Sequence, residues 1–197
     1  MLQDVPTPPS GAAMCLPAIA VDQCTQLVPP TIGWLLGLTA IADEVSERWI
    51  TPRRDREVMR RWLGRVIERN NEGQIARFCI HREAQCAGVV GFSSLDPVRL
   101  SWWVGPQWRG TGLAEASCRA ALAWLGTTRE VTVVEAIVDP DNHASMALAN
   151  RLGFHDAGSI TKHQPDTGDS VQRRRLALEY QPPTQARPSS SRLYAVT

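Results

Sequence analysis

The sequence lacks a surplus of charge of either sign, because its 21 lysine and arginine residues nearly balance its 20 aspartate and glutamate residues. That balance argues against a surface for nucleic acid or for an anionic membrane. The sequence also lacks an apolar run long enough to cross a bilayer, and its first residues lack the basic segment of a secretion signal. We therefore expect a cytoplasmic protein with no membrane or nucleic-acid partner, whose 197 residues form one core.

Paired cysteine motifs are absent as well. The five cysteines show neither a C-x-x-C spacing nor a pairing with histidine: Cys15, Cys24, Cys79, Cys86 and Cys118. An odd number without such spacing favours free thiols in a reducing compartment over disulfides or zinc ligands. We expect no metal site.

The two ends of the chain lack apolar periodicity. Residues 1–23 and 181–197 are rich in proline and small residues, which predicts flexible tails on either side of a domain at 24–180. Inside the domain, helical patterns cover about 31–47 and 54–70. Strand patterns cover 25–28, 76–81, 85–93, 99–104, 131–138, 155–163 and 171–180. The order of these elements predicts an α/β fold with a mixed sheet.

A glycine-rich turn follows the fourth of these strands. The strand stops at Gly105-Pro106, Gly110 and Gly112 follow, and a helical pattern starts at Leu113. A turn of this kind at a helix N-terminus presents unpaired backbone N–H groups and the positive end of the helix dipole. The segment therefore predicts a site for phosphate or pyrophosphate.

Two familiar phosphate motifs do not match this turn. A P-loop requires Lys and then Ser or Thr after its last glycine, but Thr111 and Gly112 stand there. A dinucleotide fingerprint requires a small residue at position 115, which is Glu115. The remaining pattern, Gln107-x-x-Gly110-x-Gly112, resembles the acetyl-CoA pyrophosphate loop of the GNAT acetyltransferase superfamily.

A second segment strengthens this resemblance. The β-branched strand at 131–138 leads into Asp139-Pro140-Asp141-Asn142, then Ser145, and the following helix ends at Leu152-Gly153-Phe154. This order resembles the second half of a GNAT domain, ~30 residues after the first motif, as one strand–helix–strand crossover requires. It is most similar to the branch that includes the ribosomal-protein N-terminal acetyltransferases, and the resemblance spans roughly residues 24 to 180.

The resemblance implies a GNAT fold: a mixed, mostly antiparallel sheet with a splayed parallel strand pair and flanking helices. It also implies transfer of an acetyl group from acetyl-CoA to a primary amine by direct attack in a ternary complex, in a monomer or homodimer. The acceptor is then a protein N-terminus or a small amine such as an antibiotic. The alternative is a GNAT-like domain that binds acyl-CoA without catalysis and serves as a sensor or assembly partner.

The resemblance also assigns site residues. It places the pantetheine arm on Trp103 and Val104, with a backbone N–H near Val104 for the oxyanion. Ser145 matches the residue that protonates the CoA thiolate, although its hydroxyl also suits a local helix-start contact. Asn142 would bind the pantetheine or the side from which the amine attacks. The N–H groups for the pyrophosphate are those of Arg109, Gly110, Thr111, Gly112, Leu113 and Ala114.

The general base is where the sequence departs from the relatives it resembles. Many of them carry a Glu on the fourth strand, where this chain has Arg99 or its neighbours Leu100 and Ser101. Others carry a Glu on the sixth strand, where His163 and Gln164 stand. The remaining candidates are Glu135, His163 and His143, and a water chain that serves an amine of low pKa would need no residue.

Overall fold

The computed structural model describes residues 16–44, 55–163 and 170–181. Within these ranges the strands are β1 (Ile19–Asp22), β2 (Thr25–Val28), β3 (Ala76–Arg82), β4 (Gln85–Leu95), β5 (Val98–Val104), β6 (Val133–Val138), β7 (His155–His163) and β8 (Ser170–Glu179). The α-helices are α1 (Leu35–Ile41), α2 (Arg56–Asn71), α3 (Leu113–Thr128) and α4 (His143–Leu152). Short 3-10 turns lie at Ile32–Trp34 and Pro106–Trp108.

The strands form one eight-stranded sheet in the order β1-β2-β3-β4-β5-β6-β8-β7. Among the described pairs, β5 and β6 are parallel, and all other neighbours are antiparallel. The connection from β5 to β6 carries α3, as a crossover between parallel strands requires. The predicted fold class, a mixed and mostly antiparallel sheet with one parallel pair and flanking helices, is confirmed.

Helices cover the two faces of the sheet in different places. One buried cluster joins α1 and α2 to the sheet and contains Leu38, Met59 and Trp103. The other joins α3 and α4 to the opposite face and contains Leu125, with Trp102 packed against it. Successive side chains of a strand point to opposite faces, so the adjacent tryptophans of β5 pack in different clusters.

Helix α2 follows directly from its local sequence. Asp55 is its N-cap, and the carboxylate accepts a hydrogen bond of 2.8 Å from the N–H of Val58. This bond satisfies one of the backbone donors that a helix start leaves open. The predicted apolar stripe is buried at Met59, Trp62, Leu63 and Val66.

Two boundaries differ from the sequence expectations. Residues 1–23 were expected to form a tail, but Ile19–Asp22 forms strand β1, in which Ile19 pairs with Leu27 of β2. A four-residue strand has too few positions to show periodicity, and its pairing is what stabilises it. The helix expected at 31–47 is shorter, because α1 ends at Ile41 and Ala42 is extended.

Several other expectations lie partly outside the described residues. The tail segments 1–15 and 182–197 and the helix residues 45–47 are among them, so the two flexible tails stay a prediction. No helix within the described ranges is long and apolar enough to cross a membrane. Cys24, Cys79, Cys86 and Cys118 are free, and burial raises the pKa of the Cys86 thiol to about 11. The described residues contain no cluster of His, Cys, Asp and Glu that could hold a metal ion.

Candidate active site

The parallel strands β5 and β6 diverge and leave a cavity between them. Their ladder has one register pair, Arg99 with Glu135, close to the beginning of each strand. Beyond that pair the strands separate towards Val104 and Val138. A cavity of about 680 Å³ lies there, lined by residues 100–104 and 136–139 and by the starts of α3 and α4. Its volume falls in the range of small-molecule sites, ~300–1,000 Å³.

The glycine-rich turn forms one wall of this cavity. Gly110 has φ +73° and Gly112, the N-cap of α3, has φ +83°. Glycine adopts this left-handed region without the steric penalty that other residues incur. A Cβ atom at either glycine would meet no atom within 4 Å, so the space beside the turn is open. The first backbone N–H groups of α3 have no partner one turn earlier, and they provide donors for an anion.

Four of the six predicted loop residues line the cavity: Arg109, Gly110, Gly112 and Ala114. Thr111 does not, and its hydroxyl donates a 2.8 Å hydrogen bond to the carbonyl of Trp108. Leu113 packs in the core with 3 % of its surface exposed. At Thr111 the backbone alone remains available to a ligand, whereas the N–H of Leu113 already donates to the hydroxyl oxygen of Thr111, at 3.4 Å.

The Arg109 side chain has a partner within the protein. Its Nη1 and Nη2 donate to the two carboxylate oxygens of Asp43, each at 2.8 Å. A bidentate pair of this kind fixes the orientation of both groups. Arg109 is thereby tied to the segment that follows α1. The charge of its guanidinium is compensated even without a phosphate.

Two indole donors near the cavity have no partner among the described residues. Trp103 and Trp108 both line the cavity, and the Nε1 atom of each is buried without a hydrogen bond. A buried donor without an acceptor costs about 1–3 kcal/mol. A ligand that brings carbonyl or phosphate oxygens would remove that cost. Trp103 was predicted from the sequence, whereas Trp108, which stands inside the loop motif, was not.

The backbone of β5 presents a further donor to the cavity. The N–H of Gly105 donates to the carbonyl of Ala87 on β4, at 2.9 Å. Successive backbone N–H groups of a strand point to opposite edges. The N–H of Val104 therefore faces the other edge, where β6 has diverged and the cavity lies. This position is the one predicted for a donor to an oxyanion.

The start of α4 supplies Asn142 and Ser145, and both line the cavity. Asn142 is the N-cap, and its Oδ1 accepts a hydrogen bond of 3.1 Å from the N–H of Ser145. The Ser145 side chain is half-buried, and its hydroxyl has no hydrogen-bond partner within the described residues. The amide of Asn142 thus caps the helix, while the hydroxyl of Ser145 remains available to a ligand.

Asp139 and Arg173 form an ion pair beside this helix start, and both line the cavity. Their side chains are 16 % and 15 % exposed. The second carboxylate oxygen of Asp139 accepts from the N–H of Asp141, at 3.0 Å. This pair was not predicted, because Asp139 follows β6 and Arg173 lies on β8, and only the sheet brings the two together.

The candidate bases lie in different places. Glu135 does not line the cavity, and its carboxylate is 2.9 Å from Arg99 Nε and 3.6 Å from Arg175 Nη1. His143 is exposed at the first position of α4 and does not line the cavity either. His163 ends β7, where it pairs with Ser170 of β8. The three residues are alternatives for one role, that of the general base, and the structure places them at three separate positions.

The carboxylates that line the described part of the cavity are those of Glu115 and Asp139. Glu115 accepts hydrogen bonds from Arg151 at 2.8 Å and from Arg119 at 2.9 Å. These bonds, that from Arg151 first, lower the pKa of Glu115 from its ordinary value. His81, His143 and His155 do not line the described part of the cavity. Both acids are therefore engaged by arginine.

Comparison with known proteins identifies the family to which this fold belongs. A family model described as an acetyltransferase (GNAT) domain matches residues 27–155. The chain belongs to the GNAT acetyltransferase family. Acetyl-CoA is accordingly its co-substrate, and the prediction of an acetyl-CoA-dependent acetyltransferase is confirmed. The open glycine turn and the two orphaned indole donors fit such a ligand.

Curated relatives include the ribosomal protein uS5-alanine N-acetyltransferase of Escherichia coli (strain K12). It is 29 % identical over 103 residues, which are 49 % of this chain and 53 % of that protein, so the match spans about half of the relative. An uncharacterized N-acetyltransferase p20 of Bacillus licheniformis is 26 % identical over 125 residues, 60 % of this chain and 70 % of that protein.

Solved structures of GNAT enzymes share the fold. RimL, a ribosomal L7/L12 alpha-N-protein acetyltransferase, has a TM-score of 0.75 at 19 % identity, with 87 % of this chain and 98 % of RimL covered. The microcin C7 self-immunity acetyltransferase MccE, in complex with acetyl-CoA and AMP, has a TM-score of 0.72 at 18 % identity, with 87 % and 97 % covered. The predicted likeness to the ribosomal-protein acetyltransferase branch is confirmed.

Proposed function

We propose that this protein transfers the acetyl group of acetyl-CoA directly to the α-amino group of a peptide or protein N-terminus, within a ternary complex. The observation that carries the proposal is the divergence of β5 and β6 next to the turn at Gly110 and Gly112. Backbone donors from β5 and from the start of α3 face that cavity. The similarity to ribosomal-protein N-acetyltransferases supports an N-terminal acceptor.

Each residue has one task in this proposal. Acetyl-CoA supplies a thioester carbonyl carbon, to which the amine nitrogen forms its bond while the carbon–sulfur bond breaks. The turn at Gly110 and Gly112 holds the pyrophosphate through backbone N–H groups. The N–H of Val104 stabilises the oxyanion, and the hydroxyl of Ser145 gives its proton to the departing thiolate. Asn142 keeps Ser145 in place as the cap of α4.

The arrangement of acids supports an α-amino acceptor over a side-chain amine. Glu115 and Asp139 are bound by arginine, and both carboxylate oxygens of Glu135 face guanidinium groups. A side-chain ammonium has a pKa of ~10.4, whereas an α-amino group has a pKa of ~7.7–8.0, so that roughly a tenth of it is already the neutral amine at pH 7. An acceptor of the second kind needs no side chain as general base.

A panel of amines tests the acceptor. CoA release should occur with peptides that have a free N-terminus, and it should stop when the same peptides are N-acetylated. Aminoglycosides and simple alkyl amines should release CoA more slowly. The proposal is wrong if no amine releases CoA from a protein that binds acetyl-CoA in calorimetry, which would favour a non-catalytic acyl-CoA-binding domain. Preferential use of an aminoglycoside would contradict the N-terminal acceptor.

The pH dependence tests the absence of a side-chain base. We expect the pH profile of kcat/KM for a peptide to have an ascending limb with its midpoint near pH ~8, because the neutral amine is the reactive form. Glu135→Gln and His163→Ala should keep this limb at the same pH, whatever their absolute rates. A limb that is lost in one variant would identify that residue as the base. Coincident limbs in all three proteins support proton transfer to water.

A further inference from the structure

The sheet has a cationic patch on the face where no described helix covers β6 and β8. Val134 and Ala136 of β6 and Leu176 of β8 are buried against α4. Because side chains alternate along a strand, Glu135, Arg173 and Arg175 point to the opposite face. We call this the open face, and it adjoins the cavity at Arg173.

Strand β5 adds a third arginine to the open face. Arg99 lies two and four residues before Ser101 and Trp103, so its side chain shares their face. Ser101 and Trp103 line the cavity. Arg99 stands beside Glu135 at the one point where β5 and β6 pair. The arginine cluster of the open face therefore consists of Arg99, Arg173 and Arg175.

Two carboxylates balance these three guanidinium groups only in part. Glu135 forms ion pairs with Arg99, at 2.9 Å, and with Arg175, at 3.6 Å, and Asp139 forms an ion pair with Arg173. Glu179 of β8 lies on the same face but forms no ion pair with these arginines, so the ion pairs within the cluster itself leave one guanidinium charge over. In a half-buried setting an uncompensated guanidinium attracts an anionic ligand more strongly than it would in bulk water.

Arg99 is the member of the cluster that combines spare donors with an accessible side chain, since Arg173 is only 15 % exposed. The Nε of Arg99 donates to Glu135, and its two Nη atoms have no partner among the described residues. The side chain is 37 % exposed. Arg175, in contrast, donates through Nε and Nη2 to the carbonyl of Ala157. Glu135 thus holds Arg99 in one orientation, with the end of the guanidinium fork directed to a ligand on the open face.

We propose that Arg99 selects acceptors that carry a carboxylate close to the reacting amine, namely peptides with Asp or Glu within their first few residues. This inference rests on the proposed function, because it concerns the acceptor of the same reaction. The one guanidinium charge that the ion pairs of the cluster leave over matches one carboxylate better than a phosphate, which carries a charge nearer −2. An extended peptide advances ~3.3 Å per residue. An acceptor peptide that has its amine in the cavity and runs along β5 would therefore reach Arg99 within its first few residues.

Paired peptides test the proposal. Peptides that begin Ala-Asp-Glu and Ala-Asn-Gln, identical thereafter, differ in charge and little in shape. We expect wild-type kcat/KM to favour the acidic peptide by about 10- to 100-fold, since hydrogen bonds to charged groups contribute discrimination of that order. Arg99→Gln should bring the ratio close to one with little change in the KM for acetyl-CoA. Arg99→Lys should restore part of the preference, because it retains the charge and loses the fork.

Arg174→Gln is the matched control. Arg174 lies on the same strand as Arg175 but points to the opposite face, where it pairs with Asp156. This variant removes one positive charge and should keep the wild-type preference for the acidic peptide. A further arm compares phosphoethanolamine with ethanolamine. Selection of the phosphorylated amine without selection of the acidic peptide would overturn the peptide assignment.

The failure of this inference is distinct from the failure of the proposed function. A wild-type ratio near one, with clear CoA release from both peptides, overturns the role of Arg99 and leaves the N-acetyltransferase reaction intact. A preference that survives in Arg99→Gln overturns it as well. The absence of CoA release from every peptide would overturn the proposed function itself.

Discussion

Substitution of Gly112 by valine is expected to raise the Kd for acetyl-CoA by at least about 100-fold, because several charge-assisted backbone hydrogen bonds are lost together. Gly112 has φ +83°, a region in which a β-branched residue is a strong outlier. The first turn of α3 must rearrange to relieve that strain, and the N–H groups then lose their common direction. The valine side chain would also enter the open space beside the turn, where the pyrophosphate should lie.

The measurement is isothermal calorimetry with acetyl-CoA, accompanied by circular dichroism to show that the variant is folded. Gly158→Val is the matched control. Gly158 has φ +102° in β7, its Cβ would also meet nothing within 4 Å, and it does not line the cavity. The control suffers the same kind of backbone strain and should bind acetyl-CoA normally. A folded Gly112→Val protein with unchanged affinity would refute the assignment of this turn to the pyrophosphate.

Ser145→Ala is expected to lower kcat by about 100-fold while the KM for acetyl-CoA changes little. A proton for the thiolate is needed only in the transition state, and general acid catalysis contributes typically ~10²–10⁴-fold. The hydroxyl lines the cavity and has no partner within the described residues. The bond that caps α4 uses the backbone N–H of Ser145, which alanine retains. The melting temperature should therefore stay close to that of the wild type.

Two further variants separate chemistry from helix stability. Asn142→Ala removes the cap and should destabilise the protein by about 1 kcal/mol. Ser117→Ala removes a buried hydroxyl of α3 that has no described partner and does not line the cavity, so kcat should be unchanged. If Ser145→Ala instead weakens acetyl-CoA binding and keeps kcat, Ser145 contacts the co-substrate and donates no proton.

Local signals in the sequence were sufficient to predict the turn and the helix start that line the cavity. The turn at Gly110 and Gly112 and the start of α4 at Asn142 are both short segments whose conformation depends on neighbouring residues. Glycine at positive φ and an amide at an N-cap are preferences that act within a few residues. The bounds of β5 and α2 follow in the same way from alternation and from the apolar stripe.

Contacts between distant segments were decided by the tertiary structure. The ion pairs of Arg109 with Asp43, Arg173 with Asp139 and Glu135 with Arg99 join residues that are far apart in the chain. No spacing rule predicts them, because their partners depend on the order and register of the strands. The insertion of β8 between β6 and β7 is an example, since it brings Arg175 next to Glu135.

The sequence by itself therefore determined the family, the co-substrate, and the turn and helix start that line the cavity, because those features depend on short motifs at a fixed separation. The tertiary structure decided which acids are already bound by arginine, which arginine has donors left over, and that Ile19–Asp22 is a strand. The physical reason is the range of the interactions. Turn, cap and periodicity preferences act over a few residues, whereas ion pairs and edge-strand pairing are fixed only when the sheet has formed.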